Sequence, residues 1–437
     1  MADLRTDFLG VKSPNPFWLA SAPPTDKAVN VHRAFEAGWG GVVWKTLGEA
    51  GPPVVNVSGP RYGALHGTDR QVIGFNNIEL ITDRPLEVNL AEMREVKRSW
   101  PDRALVASLM VPCTESAWRE IIPQAEDTGA DALELNFGCP HGMSERGMGS
   151  AVGQVPEYIQ MVSEWCKRWS RLPVIVKLTP NITDIRKPAR AARAGGADAV
   201  SLINTISSII GVDLDRMTMS PSTGGRGSHG GYCGPAVRPI ALNMVAEIAR
   251  DPETRGLPIS GIGGIGTWHD AAEFIALGCG TVQVCTAAMV HGFRIVQDMI
   301  DGLQDFMDRR GYLRITDFQG RALPSVTDWQ NLNLNVTEKA VIDQALCIQC
   351  GRCHIACEDT SHQAIFATRV EGRRHYAINE AECVGCNLCT TVCPVPGCIT
   401  LRQLAPGETD ARTGLPVGAD YLPWTQHPNN PMRGPGS

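Results

Sequence analysis

Eight cysteines fall in two runs of one spacing: Cys347-x2-Cys350-x2-Cys353-x3-Cys357 and Cys383-x2-Cys386-x2-Cys389-x3-Cys393, the second followed by Pro394. Three thiolates so closely set can grip three irons of a 4Fe–4S cubane, and in two-cluster chains of this spacing the fourth cysteine of each run ligates the other cluster. The spacing therefore predicts one cluster on Cys347, Cys350, Cys353 and Cys393, and a second on Cys357, Cys383, Cys386 and Cys389. Structural zinc is the competing chemistry. It takes four ligands as two separated pairs, which two copies of a four-cysteine run fit poorly. Glu358 stands where the first run would carry its proline. Cys398 is left over and reads as buried packing. A pair of cubanes moves electrons singly and supports no group transfer alone.

A second set of reactive residues lies upstream. Lys45 and Lys177 close the apolar runs Val-Val-Trp-Lys and Val-Ile-Val-Lys. A surface lysine could snorkel from such a position, but a lysine held inside must find an anion. Two of them on separate runs favour a function: a cation beside a flavin stabilises the negative charge of its reduced ring. Asn136 closes Ala-Leu-Glu-Leu-Asn, and Asn204-Thr205 follows Ser-Leu-Ile. A buried amide needs partners, and its donor and acceptor match the alternating O=C–N–H edge of a pyrimidine. Cys139 opens a glycine-rich loop, Cys139–Gly149, suited to a lid. A thiol near the ordinary pKa of ~8.5 keeps its proton at neutral pH and can act as a general acid. Inert packing accounts for Cys113, Cys166 and Cys279; Cys139 differs in sitting at a strand end between turn-forming residues. Gly261-Ile-Gly263-Gly264-Ile-Gly266 and Thr286-Ala-Ala offer backbone N–H groups to a phosphate. The glycine run also matches G-x-G-x-x-G. The dinucleotide reading fails because the next strand ends in Cys285-Thr286, with no acid for a ribose hydroxyl. Clusters deliver single electrons and an organic substrate takes pairs, so a flavin at these residues makes the two sets coherent.

The elements that must position these residues come from period. Near-continuous apolar runs, the mark of parallel strands buried on both faces, predict strands at Phe17–Ser21, Gly41–Lys45, Ala104–Leu109, Ala132–Asn136, Val174–Leu178, Ala199–Ile203, Pro258–Ile262 and Thr281–Cys285. Helical spacing between them predicts helices at Val29–Ala37, Glu115–Thr128, Val155–Trp169, Ile185–Ala194, Ala236–Arg250 and Thr267–Leu277. Gly38, Gly129, Gly195 and Gly278 follow four of these as C-terminal stops. Eight strands with crossovers predict an α/β fold, a (β/α)8 TIM barrel, over an open doubly wound sheet. Lys45, Asn136, Lys177, Asn204 and the glycine run all end different strands, and only a barrel converges those ends on one mouth. The expected domains are a barrel over 1–318, a linker over 319–340, a two-cluster ferredoxin-like α+β domain over 341–404, and a tail over 405–437, rich in Pro and Gly and read as an extended or disordered arm. The chain has 437 residues, 43% hydrophobic and 20% charged, with a formal net charge of −6. That charge argues against a nucleic-acid partner. No run reaches the roughly 18 apolar residues of a membrane span, and the first residues lack the pattern of a signal peptide. The expected location is the cytoplasm, where fifteen cysteines point to metal and catalysis, not disulfides.

The motifs also carry a resemblance. Asn136-Phe-Gly-Cys139-Pro-His-Gly-Met with Glu-Arg-Gly-Met-Gly, Lys177-Leu-Thr-Pro-Asn, Ile-Asn204-Thr205 and the double cysteine run resemble dihydroorotate dehydrogenase-like flavoproteins, and within them the dihydropyrimidine dehydrogenases, over roughly residues 1–404. His141-Gly142 after Pro140 separates that group from dihydroorotate enzymes, which usually carry Asn there. The resemblance implies an oxidoreductase acting on a CH–CH group. It would reversibly reduce uracil or thymine to the 5,6-dihydropyrimidine, the first step of pyrimidine base degradation. It implies FMN held by Ala20, Ser21, Lys45, Thr46, Lys177, Gly234, Gly263, Gly264, Cys285 and Thr286, a pyrimidine held by Asn136, Asn204 and Thr205, hydride delivery to C6, and a proton to C5 from Cys139. It further implies a partner subunit carrying FAD and NAD(P)H, in a hetero-oligomer expected to be a heterotetramer, with electrons arriving through the two clusters. Two departures stand out: Gly138 where the family often has Ser, and Pro112-Cys113-Thr114 where some members carry Asn. The alternatives are a dihydroorotate-type dehydrogenase with a fused ferredoxin domain, which needs an extra cation at the mouth, and a non-catalytic electron relay.

Overall fold

Side chains alternate across a strand, so each barrel strand sends one set inward and the other toward the helices. The strands are β1 (Phe17–Leu19), β2 (Gly41–Val43), β3 (Ala104–Leu109), β4 (Ala132–Asn136), β5 (Val174–Lys177), β6 (Ala199–Leu202), β7 (Ile259–Ile262) and β8 (Thr281–Val284). All run parallel, each paired to its chain neighbour, and β8 closes on β1 through Gln283 opposite Trp18. The expected eight-stranded barrel is therefore closed. The computed structural model describes residues 1–432, and the chain divides into two units, Met1–Ser325 and a second beginning at Val326. The last five positions of the expected tail lie outside the described residues.

Inside the barrel the alternation builds layers. Trp18, Val43, Ala104, Val106, Ala132, Ile175 and Ala199 form an apolar floor. A hairpin, Thr6–Phe8 with Val11–Ser13, seals it by adding Phe8 and Val11 to that cluster. One step toward the C-terminal ends comes a buried polar layer containing Ser108, Glu134, Ser201, Ser260, Thr281 and Gln283. Above it stand Lys45, Asn136 and Lys177 at the mouth.

The helices α1 (Ala28–Ala37), α2 (Leu86–Ser99), α3 (Glu115–Glu126), α4 (Pro156–Trp169), α5 (Arg186–Ala194), α6 (Arg238–Arg250), α7 (Trp268–Ala276) and α8 (Ile295–Arg310) surround the strands. The sequence reading did not single out α2 or α8. After α5 the left-handed stop is Gly196 (φ 83°), not Gly195 as expected. Gly195 is needed for a different reason: a Cβ there would lie 2.5 Å from the Gln160 carbonyl oxygen on α4.

The reading also missed a four-stranded antiparallel sheet formed by Tyr62–His66, Val72–Asn77, Ile206–Ser208 and Gly230–Cys233. Its strands are short, polar and glycine-rich, so they carry no apolar alternation. Several of its residues line the cavity at the barrel mouth.

The second unit starts earlier than the expected boundary at 341. Glu338–Ile342 pairs antiparallel with Ile399–Gln403, so the end of the expected linker is sheet. A hairpin, Ile365–Val370 with Arg373–Ile378, and two short helices, Arg352–Glu358 and Leu388–Val392, complete it. The tail returns along the linker and is not a free arm through its described residues. Leu334 N–H donates to the Leu422 carbonyl at 2.8 Å, and Asn335 Nδ2 donates to the Asp420 carbonyl at 2.7 Å. On the barrel side, Gly320 and Ala322 hydrogen-bond back to Ile275 and Ala276, so the first unit runs past the expected end at 318.

Candidate active site and cluster cages

The loops at the C-terminal ends of the barrel strands enclose a cavity of about 680 Å³. All fourteen residues expected there line it: Ala20, Ser21, Lys45, Thr46, Asn136, Cys139, Lys177, Asn204, Thr205, Gly234, Gly263, Gly264, Cys285 and Thr286. They come from strands far apart in sequence, and barrel closure is what gathers them.

Each buried lysine has the anion that burial demands. Lys45 Nζ lies 2.7 Å from Glu79 Oε1. Lys177 Nζ lies 3.4 Å from Glu134 Oε1. Glu79 also accepts from Arg61 at 3.1 Å and from the Tyr62 hydroxyl at 3.0 Å. Burial pushes its carboxyl up, but Lys45, Tyr62 and Arg61 together hold it below the ordinary value.

The amide pair is interlocked. Asn204 Nδ2 donates to Asn136 Oδ1 at 2.9 Å, Asn136 Nδ2 donates to Thr46 Oγ1 at 3.0 Å, and Asn204 Oδ1 accepts from Thr205 N–H at 2.8 Å. Each amide nitrogen has a further hydrogen to offer a ligand. This interlock explains Gly138: a Cβ there would lie 2.3 Å from the Asn204 Cβ, so serine does not fit while Asn204 holds its place.

Cys139 is buried, and its thiol donates to the His141 carbonyl at 3.4 Å. Burial pushes its pKa up to about 11, outweighing the pull of Lys177. It is therefore a thiol at neutral pH, with a proton to give. Its loop is tied down on two sides: His141 Nε2 meets the Glu79 carbonyl at 2.9 Å, and His229 Nε2 meets the Pro140 carbonyl at 3.2 Å. Cys285 and Cys233 also line the cavity, and burial raises both, to about 12 and about 11.

The glycine run differs in detail from expectation. The N–H groups of Gly266 and Thr267 donate to Asp270 Oδ2, at 3.0 and 2.9 Å, so both are already taken. Gly264 (φ 75°) turns the chain where a Cβ would lie 2.9 Å from the Gly234 carbonyl oxygen, which packs the loops of Gly263–Gly264 and Gly234 together.

Sequence reasoning missed Glu79, Asn77, Gln283 and Glu134, of which the first three line the cavity. Glu134 and Gln283 had a signal, since a charged or amide side chain inside an apolar strand must have a partner. Asn77 and Glu79 sit in or beside the unrecognised sheet and had none.

In the second unit, Cys347, Cys350, Cys353 and Cys393 surround one small cavity, and Cys357, Cys383, Cys386 and Cys389 another. The crossing of fourth cysteines expected from the spacing is thus present in the side-chain positions. Cys398 is buried beside the first cage.

A closed barrel with buried cations and a protonated thiol at its mouth, on one chain with two four-cysteine cages, is the construction of an iron–sulfur oxidoreductase. The sequence model of the dihydroorotate dehydrogenase family matches residues 3–307, and that of the 4Fe-4S dicluster domain matches residues 340–401. The chain belongs to the dihydroorotate dehydrogenase family and carries a 4Fe-4S dicluster domain. It is 42% identical over 402 residues to the NAD-dependent dihydropyrimidine dehydrogenase subunit PreA of Escherichia coli, covering 92% of this chain and 96% of that one. It is 44% identical over 338 residues to the chloroplastic NADP(+) dihydropyrimidine dehydrogenase of Arabidopsis thaliana, covering 76% and 79%. It is 35% identical over 323 residues to the catalytic subunit of dihydroorotate dehydrogenase B (NAD(+)) from Pyrococcus abyssi, covering 73% and 99%. Among solved structures, the Eimeria tenella dihydroorotate dehydrogenase in complex with ferulenol superposes with a TM-score of 0.58 at 20% identity, covering 73% of this chain and 88% of that one, a likeness of fold. Among the described residues no helix is long and apolar enough to cross a membrane.

FMN is the cofactor of this family, and the dicluster domain carries 4Fe–4S clusters. The cavity fits the flavin chemically. Gln283 Oε1 and His141 Nδ1, both on residues that line it, are buried without a hydrogen-bond partner. Its volume also lies within the range of about 300–1,000 Å³ usual for cofactor sites.

Proposed function

We propose that this chain is the pyrimidine-reducing subunit of a dihydropyrimidine dehydrogenase, converting uracil or thymine to the 5,6-dihydropyrimidine. The observation that carries this reading is the Asn136–Asn204 pair beside a buried, protonated Cys139 in one cavity. The relatives in E. coli and Arabidopsis, named for dihydropyrimidine dehydrogenation, support it over most of the chain.

In this reading FMN supplies the hydride when bound and takes up electrons singly. The other roles belong to the chain. Lys45 and Lys177 hold the flavin and meet its negative charge. Ala20, Ser21, Thr46, Gly234, Gly263, Gly264, Cys285 and Thr286 contact it. Asn136, Asn204 and Thr205 bind the pyrimidine edge. The Cys139 thiol gives its proton to C5, and the loop fixed by His141 and His229 keeps water away. Cys347, Cys350, Cys353 and Cys393 ligate one cluster, and Cys357, Cys383, Cys386 and Cys389 the other. Electrons come from a partner subunit carrying FAD and NAD(P)H, in a hetero-oligomer that we take to be a heterotetramer. The E. coli relative is named as a subunit of an NAD-dependent enzyme. A reducing compartment, the cytoplasm, suits fifteen cysteines that are all free.

The competing substrate is orotate, whose carboxylate needs a cation. The buried cations of the mouth, Lys45 and Lys177, face Glu79 and Glu134 and in this reading serve the flavin, which supports a neutral pyrimidine. Two arginines also line the cavity: Arg238, which is paired with Asp270, and Arg70, on an exposed turn. Arg70 favours the carboxylated ring, so the test includes orotate. The chain, reconstituted anaerobically with iron, sulfide and FMN, is reduced with a low-potential dye and mixed with uracil, thymine or orotate. Flavin reoxidation by uracil or thymine is expected. Reoxidation by orotate alone, or by none of the three, overturns the proposal.

A further inference from the structure

The buried polar layer beneath the mouth contains a carboxylate with no assigned task. Glu134 sits mid-strand on β4, fully buried at 0% exposure. Its Oε2 accepts from Ser201 Oγ on β6 at 2.8 Å and from Gln283 Nε2 on β8 at 2.9 Å. Its Oε1 has no hydrogen-bond partner and faces only Lys177 Nζ, at 3.4 Å. Four strands thus converge on one carboxylate, and they fix it with one oxygen turned to the lysine. A carboxylate in so dry a place is costly unless paired, so a purely structural role would be better served by an apolar residue. Lys177 also acts on Cys139, on the loop after β4, and on Cys285, after β8, both held as neutral thiols by burial. Glu134 is therefore the counter-charge that faces Lys177, at a distance long enough to leave the lysine N–H groups free for the cavity.

We propose that Glu134 is a positioning residue that acts on the flavin through Lys177, holding its ammonium at the mouth by a fixed counter-charge and so setting the potential of the bound cofactor. This rests on the reading above that Lys177 contacts FMN. Without Glu134 the buried ammonium loses the counter-charge that fixes it in place, and the flavin loses a cation held beside its reduced ring.

The test is the FMN midpoint potential of the full chain, reconstituted with FMN and clusters and followed by spectroelectrochemistry. Glu134→Gln keeps an oxygen for Ser201 and Gln283 while removing the charge. It should shift the midpoint to a more negative value, in the same direction as Lys177→Met, and the double variant should move no further than Lys177→Met alone. Glu134→Asp, which keeps the charge, should restore most of the original value. A shift to a more positive value would mean that Glu134 acts by its own field and not through the lysine; that result, or no shift at all, overturns the proposal. If Glu134→Gln fails to retain FMN, thermal unfolding decides. The single variant, with its stranded lysine, should unfold at a lower temperature than the double variant, and the reverse order overturns it. The potential is read without any pyrimidine, so failure here is separable from failure of the substrate assignment.

Discussion

At the scale of single residues, the proposed chemistry turns on a thiol that keeps its proton. Burial raises Cys139 to about 11, and its S–H is engaged with the His141 carbonyl. A general acid that holds its proton at neutral pH typically contributes about 10²–10⁴-fold to a rate. Cys139→Ala should therefore keep FMN and both clusters, judged by visible absorbance, yet lose turnover by that factor; near-normal turnover would remove Cys139 from the mechanism. The same burial predicts sluggish alkylation. Only the thiolate reacts, and above neutral pH its fraction rises about tenfold per pH unit until the pKa is reached. Iodoacetamide labelling of Cys139 should climb steadily from pH 7 toward about 11, as read by peptide mass spectrometry; a plateau near pH 8.5 would mean an ordinary, exposed thiol.

At the scale of elements, what could be read from the sequence depended on how a strand is buried. The eight barrel strands are covered on both faces, so Val174–Lys177 and its counterparts appear as apolar runs with abrupt ends, and the polar residue at each end is conspicuous. Glu134, Ser201 and Gln283 are inside the same runs and were passed over because their partners lie on other strands, which only closure brings near. The sheet at the mouth was invisible for the opposite reason. Tyr62–His66 is mostly exposed and Gly230–Cys233 is half glycine, so neither shows a period. Yet that sheet carries Asn77 and leads directly into Glu79. Its tightness can be tested at Gly74, where a Cβ would sit in the Tyr232 hydroxyl group's place. Overpacking of this kind typically costs about 1–3 kcal/mol. Gly74→Ala should push the strand Val72–Asn77 off Gly230–Cys233 and weaken FMN retention on gel filtration, while cluster absorbance is unchanged. Full FMN retention would show that the sheet is not needed to hold the cofactor.

At the scale of the whole molecule, the chain adds to its barrel a second unit too small to rely on an apolar core. Half of its main buried cluster is cysteine, and four of these, Cys353, Cys357, Cys383 and Cys389, are proposed ligands of iron, so the remaining stability must come from elsewhere. One source is the tail. Lys339, 1% exposed, donates to the carbonyls of Cys383 at 2.7 Å and Glu380 at 2.9 Å and faces Asp410 Oδ1 at 2.6 Å. The lysine thus clamps the backbone at a cysteine of the second cage, and its counter-charge comes from a segment that composition alone suggested would hang free. Composition misled because a stretch rich in Pro and Gly has little apolar surface, whereas this one is held by an ion pair and backbone hydrogen bonds. Removing one partner of a buried pair typically costs about 3–5 kcal/mol, because the other charge is left stranded. Asp410→Ala should therefore lower the unfolding temperature of the second unit and speed loss of its cluster absorbance, with FMN retention unaffected. Its pH dependence follows from sign. Lys339 holds the Asp410 carboxyl below the ordinary value of 3.8, so the contribution is complete above that value and is lost as pH falls through the depressed one. Wild type and Asp410→Ala should thus differ fully at neutral pH and converge only in strong acid. Equal stability of the two at pH 7, by cluster absorbance on heating, would mean that the tail merely lies on the unit and does not hold it.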